Sequence, residues 1–179
     1  MVEDYSVLPS FLILDEGNNI YYNIHSFVMV ICFSSYIISV RTYIYPKILK
    51  AVVIGYILFV IINFTFFESP FILSTLHFTV GSIVLLIMCL FYFFRSIVED
   101  DSPVNWLRHP SFIICSGLCL YEVITFVIFL FIYPLFNNPK TASFAQIMMQ
   151  VYQYIFVVFC ILLAIGVYQH SRLDKKRAA

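Results

Sequence analysis

The sequence predicts an all-α, polytopic membrane helix bundle of about five transmembrane helices, with its N-terminus outside and its C-terminus inside. Three observations carry this. Hydrophobic residues make up 62% of the 179 residues and charged residues 11%, with a mean hydropathy of +0.95. A water-soluble domain carries about 25% charged residues, so this chain cannot cover its own surface in water. Five apolar runs, 24–40, 48–67, 71–94, 111–133 and 144–168, each approach or exceed the length that a spanning helix needs, which is about 17–25 residues. Their length without alternation argues for helices over the strands of a closed barrel. The third observation is the placement of the basic residues, which sets the orientation.

The elements follow in chain order. Residues 1–20 contain four acids and no Lys or Arg, so they lack the basic start of a signal peptide. Their apolar core is short and interrupted by Pro9, which predicts an amphiphilic segment lying on the outer face. A start outside with no signal also raises the expectation of an upstream helical pair. The bundle is expected over residues 21–170. Its first run is the shortest and most polar, with Ser26, Ser34, Ser35 and Ser39. The links carry stop signals: Pro46 with Lys47, then "ESP" (68–70), "EDDSPVNW" (99–106) and "YPLFNNPK" (133–140). Residues 171–179 read as a basic cytoplasmic tail that meets anionic lipid headgroups. Of the 10 basic residues, Arg41, Lys47, Lys50, Arg95, Arg108, Arg172, Lys175, Lys176 and Arg177 share one side, and Lys140 alone is on the other. Basic residues are retained on the cytoplasmic side, which gives N-out, C-in.

This composition narrows the function classes. The chain is one compact unit, and a formal net charge of +0 with no basic patch among exposed aromatics leaves no basis for nucleic-acid binding. The lipid bilayer is the first partner. Cys32, Cys89, Cys115, Cys119 and Cys160 all lie within spanning runs. Cys115 and Cys119 share a helix face, but no ligand set at structural-zinc spacing accompanies them, so they read as small apolar packing residues. No Ser–His pair, membrane Asp pair, zinc motif or phosphate loop is present, and the chain reads as a non-enzyme without cofactor or metal.

The polar residues in the spans are the informative ones. Glu122 is the only charged residue in 111–133. It lies about eleven residues from the inner end, roughly 16 Å at 1.5 Å per residue and so near mid-bilayer. Even lenient insertion scales place an acid there at about +2.5 to +3.5 kcal/mol, so it is expected to face the interior and to hydrogen-bond another helix. His77 and Gln153 are its candidate partners. His25, Asn63, Thr65 and His77 fall in the outer halves of their helices, and Ser143, Gln146, Gln150 and Gln153 follow one face of the last helix. Ser82 and Ser116 are placed in the inner halves. The expectation is one polar outer-half pocket, with Glu122, His77, Asn63, Gln150, Gln153 and His25 as ligand or ion candidates. Packing by hydrogen bonds of about 0.6 kcal/mol each is the competing reading for the glutamines. For Glu122 a protonated structural role and a proton or cation role both stay open.

Several stretches resemble a family of small multi-helix membrane proteins of Bacteroidota: "NNIYYNIHSFV", "VIINFTFFESP", "LIMCLFYFFRSIVED" and "LRHPSFIICSGLCLY". The positions that carry the likeness are Asn23, Asn63, the aromatic 91–94, and Leu107, Pro110, Phe112, Ile113, Gly117, Leu120 and Tyr121. Members often have seven helices and are commonly encoded beside sensor histidine kinases. The family usually carries a Trp where this chain has "SFII", and the first helix pair has no counterpart here. The resemblance implies an inner-membrane sensory or accessory component in signal transduction, working through a membrane protein partner or as a homo-oligomer. A transporter or oligomeric channel subunit using Glu122, and a structural assembly subunit, are the alternatives.

Overall fold

The computed structural model describes residues 16–40, 46–69, 73–99, 109–136 and 140–178. The chain forms α1 (Glu16–Val40), α2 (Pro46–Ile62) continued by a π-helical turn (Asn63–Phe67), α3 (Thr75–Glu99), α4 (Pro110–Phe136) and α5 (Ala142–Ala178). All five are long and apolar enough to cross a membrane, with spans Asn19–Val40, Lys47–Phe67, Thr75–Val98, Pro110–Ile132 and Ser143–Arg172. The protein is therefore an all-α, multi-pass membrane bundle.

The ends differ from expectation in ways that hydropathy alone does not report. The first helix begins at Glu16, inside the stretch assigned to the outer-face segment; residues 1–15 lie outside the described residues. Its added outer turns carry Tyr21 and Tyr22, both exposed, and amphipathic rings suit the headgroup level. The third helix begins at Thr75 rather than near residue 71, because Ser74 caps it: the Ser74 hydroxyl accepts the His77 backbone N–H at 3.0 Å. The expected basic tail is helical through Ala178. Arg41, Arg108 and most of "EDDSPVNW" fall outside the described residues.

α3 and α4 form the centre. About half of each span is buried (56% and 50%), against 17% for α2 and 11% for α5. Lipid tails give no hydrophobic drive between helices, so close backbone approach must supply packing. Three glycines permit it. A Cβ on Gly81 of α3 would lie 3.1 Å from the Val30 side chain of α1, and one on Gly117 of α4 would lie 3.0 Å from Leu162 of α5. One on Gly166 of α5 would meet the Ile114 side chain and lie 3.2 Å from the Pro110 carbonyl. In the outer half, Phe78 and Phe129 stack at 4.4 Å between centroids and lead a small apolar cluster with Ile128, Ile132 and Ala145. A larger cluster from Val30 to Phe159 fills the rest of the bundle.

Candidate functional site

Glu122 sits on the inward face of α4, 4% exposed. It lies twelve residues past Pro110, about 18 Å along the helix at 1.5 Å per residue, against a hydrocarbon thickness of about 30 Å. Beside it is a cavity of about 20 Å3 bounded by Ser26 and Val30 of α1, Gly81 and Ser82 of α3, and Tyr121 and Thr125 of α4. Phe78 forms a further wall, and His25 stands at the edge. The Ser82 hydroxyl is the hydrogen-bonding partner of the Glu122 carboxyl. Thr125 is 3% exposed, and its Oγ1 faces the Tyr121 hydroxyl without completing a hydrogen bond. One turn away, the Tyr121 and Tyr152 hydroxyls meet at 2.9 Å and join α4 to α5. The void has the size of one water molecule or one bare monovalent cation, and the oxygen-bearing side chains of Ser26, Ser82, Tyr121, Glu122 and Thr125 are among those that line it.

A second polar group ties the outer ends of α1, α2 and α3 together, and its hydrogen bonds run in a chain. The Asn23 carbonyl can only accept, so His77 Nε2–H donates to it at 3.2 Å. Nδ1 meets the Tyr56 hydroxyl at 3.3 Å, and in the Nε2–H tautomer it accepts from that hydroxyl. The Ser74 N–H donates to Asn23 Oδ1 at 3.3 Å. Asn63 Nδ2 donates to Glu68 Oε2 at 3.0 Å and to Ser74 Oγ at 3.3 Å, while the Ser74 hydroxyl donates to Glu68. The π-helical turn makes this possible: the Glu68 N–H reaches back five residues to the Asn63 carbonyl at 2.9 Å, bringing both side chains to Ser74. Asn23, Asn63, Ser74 and His77 are all 3% exposed or less.

The predicted residues therefore separate into three groups. His25 and Glu122 border one cavity, although His25 itself is exposed and packs edge-on against Phe156 at 6.0 Å. Asn63 and His77 belong to the outer network. Gln150 and Gln153 do not join either one: both are exposed, as are Ser143 and Gln146. α5 packs on α4 through the opposite face, which holds Ala145, Tyr152 and Phe159. The expected partners of Glu122 are also replaced, since His77 is held by Asn23 and Tyr56 and Gln153 points away. Ser82 takes that place. An apolar run that begins at residue 71 puts Ser82 at the edge of the inner half; with Thr75 as the first residue of α3 it lies seven residues from the outer end, within reach of Glu122. Tyr56, Ser74 and Glu68 carried no signal as single residues, though a Ser just before an apolar run is a recognisable cap.

Fold and site together define a class: a multi-pass helical membrane protein with a buried carboxyl group beside a water-sized void. No protein-family model, curated protein or solved structure matches the chain. Among the described residues no group of three or more His, Cys, Asp or Glu could hold a metal ion.

Proposed function

We propose that the chain is a membrane sensory or accessory component whose input is a proton or a small monovalent cation at Glu122, and whose output passes through a partner in the membrane. One observation carries the reading: a carboxyl group at mid-bilayer depth beside a void of about 20 Å3 that also holds an orphaned threonine hydroxyl. A carboxyl in hydrocarbon is costly, and a purely structural one gains by filling its surroundings with partners. Here space and an unused hydroxyl are left next to it. An organic ligand does not fit, since small-molecule sites enclose several hundred Å3. The outer network offers such a ligand no better place, because its side chains hold one another. The sensory setting, the inner membrane and a signalling partner come from the family resemblance; no catalytic step belongs to the reading.

Dicyclohexylcarbodiimide tests it, because this apolar reagent modifies protonated carboxyl groups within a bilayer. Protein reconstituted in vesicles should be labelled at Glu122, as read by peptide mass spectrometry. Labelling should slow when the pH is raised or when sodium or lithium is added, and it should be absent from Glu122→Gln. Labelling indifferent to both pH and cations would remove the proposed input.

A further inference from the structure

The face of α5 that turns away from the bundle is not uniform, and the difference points to a partner. Gln146, Gln150, Gln153, Val157, Cys160 and Ala164 are spaced 4, 3, 4, 3 and 4 residues apart and are all exposed. That spacing follows one face of the helix, and the adjoining exposed line repeats it with different side chains. It holds Ile147, Tyr154, Val158, Ile161 and Ile165, the branched and aromatic side chains that suit lipid. Apart from Val157, the first line is polar or small, whereas the second is branched or aromatic throughout, and the three glutamines mark the first as the seam that a helix covers. Small residues allow close approach of two helices, and side-chain amides hydrogen-bond across them.

We infer that this seam pairs with the same seam of a second copy, giving a parallel dimer through α5. The choice of occupant follows from chemistry and topology. Copies inserted the same way bring their α5 helices together in parallel, with every residue opposite itself at equal depth. A carboxamide carries two donors and an acceptor oxygen, so each glutamine is complementary to its own copy. Gln150 and Gln153 lie about 10 and 15 Å below the outer end of the span at 1.5 Å per residue, where water does not satisfy them. A symmetric dimer pairs both at once and places Cys160 against Cys160 further down. The inference names the partner that the proposed function requires, and it fails separately from that reading: a monomer that still shows cation-sensitive labelling of Glu122 removes the dimer alone.

The test uses the full chain in vesicles, diluted stepwise with lipid. Copper phenanthroline should cross-link the wild type into a disulfide dimer through Cys160, and Cys160→Ala should abolish the product although Cys32 is also exposed. Moving the thiol to the lipid-facing line, as Val158→Cys in the Cys160→Ala background, should give little cross-linking. Subunit counting by photobleaching supplies the measurement that does not depend on sulfur. Each of Gln150→Leu and Gln153→Leu should raise the dissociation constant about eightfold, at about 0.6 kcal/mol per lost hydrogen bond with two bonds per pair. Tyr154→Leu should leave it within about twofold. A monomer at every lipid dilution, or equal cross-linking from position 158, overturns the proposal.

Discussion

The two polar groups of the bundle lie only a few turns apart, and the same low dielectric surrounds both. Around His77, each ring nitrogen has a partner, the capping Ser74 both donates and accepts, and helices α1, α2 and α3 meet with their side chains committed. Asn63 Oδ1 is the orphan atom of that group. Around Glu122 the inventory is short. The Ser82 hydroxyl faces the carboxyl, the Thr125 hydroxyl completes no hydrogen bond, and a void lies between helices. Burial alone therefore does not identify a site in a membrane protein, since His77 is more deeply buried than Glu122 (0% against 4% exposed). Each group holds one unpartnered oxygen; what marks the Glu122 group is the void that its carboxyl and Thr125 border.

The largest effect should come from breaking the group around His77. His77→Phe keeps a ring of similar size between Tyr56 and Phe64 but removes both nitrogens. The Asn23 carbonyl keeps its helical bond within α1 and the Tyr56 hydroxyl keeps Ser26, so each lost bond to His77 costs about 0.5–1.5 kcal/mol. A loss of about 1–3 kcal/mol is expected, read by sodium dodecyl sulfate titration of the protein in mixed micelles with far-ultraviolet circular dichroism. Carbodiimide labelling of whatever protein remains folded should still occur at Glu122. Stability within about 0.5 kcal/mol of wild type would mean that the network closes without its centre, and the contrast drawn above would collapse.

That contrast was only partly legible in the sequence. The five spans could be read because hydrophobic length is a property of consecutive residues and the bilayer sets one threshold for all of them. Glu122 stood out for the same reason, as a lone carboxylate inside such a run, and its inward direction follows from energy. Asn63 and His77 were visible as polar residues, but their partners were not: Asn23, Tyr56 and Ser74 reach them from three elements, and only packing decides which. The glutamines show the limit most clearly. Spacing reports that Gln146, Gln150 and Gln153 share a face; it does not report which way the face points. Treating polarity in a membrane as inward is sound for a central helix such as α4. It fails for α5, whose span is only 11% buried and whose polar line is free to meet another chain.

A smaller effect, and one that joins the two regions, is expected at Gly81. This residue borders the void beside Glu122, and a Cβ there would lie 3.1 Å from Val30 Cγ2 and 3.3 Å from the Tyr56 hydroxyl. Gly81→Ala thus crowds the cavity from one side and the donor to His77 from the other. Overpacking of this kind costs about 1–3 kcal/mol, partly offset by the better helix propensity of alanine, about 1 kcal/mol. The net loss should be about 0–2 kcal/mol in the same titration, together with faster carbodiimide labelling at a given sodium concentration because the cation has less room. Unchanged cation sensitivity with reduced stability would show that the void is packing space and that only the outer network feels the substitution.

The smallest effect on stability carries the sharpest information, and it belongs to Thr125. Its hydroxyl is buried beside Glu122 and completes no hydrogen bond. Thr125→Val replaces that hydroxyl with a methyl group of nearly the same shape. If the oxygen is merely orphaned, its removal relieves a desolvation cost, and stability should rise by about 1 kcal/mol, with labelling of Glu122 and its cation dependence unaltered. If the oxygen completes a shell around a water or a cation, the methyl group leaves that occupant one contact short. Stability measured without sodium should then stay within about 0.5 kcal/mol of wild type, while the sodium concentration needed to slow labelling should rise about tenfold, the loss of one hydrogen-bond-sized interaction of about 1.4 kcal/mol. The two outcomes differ in sign on one axis and in presence on the other. A more stable variant with unchanged sodium protection would return Glu122 to the company of His77, as a buried polar residue that holds helices together and does nothing else.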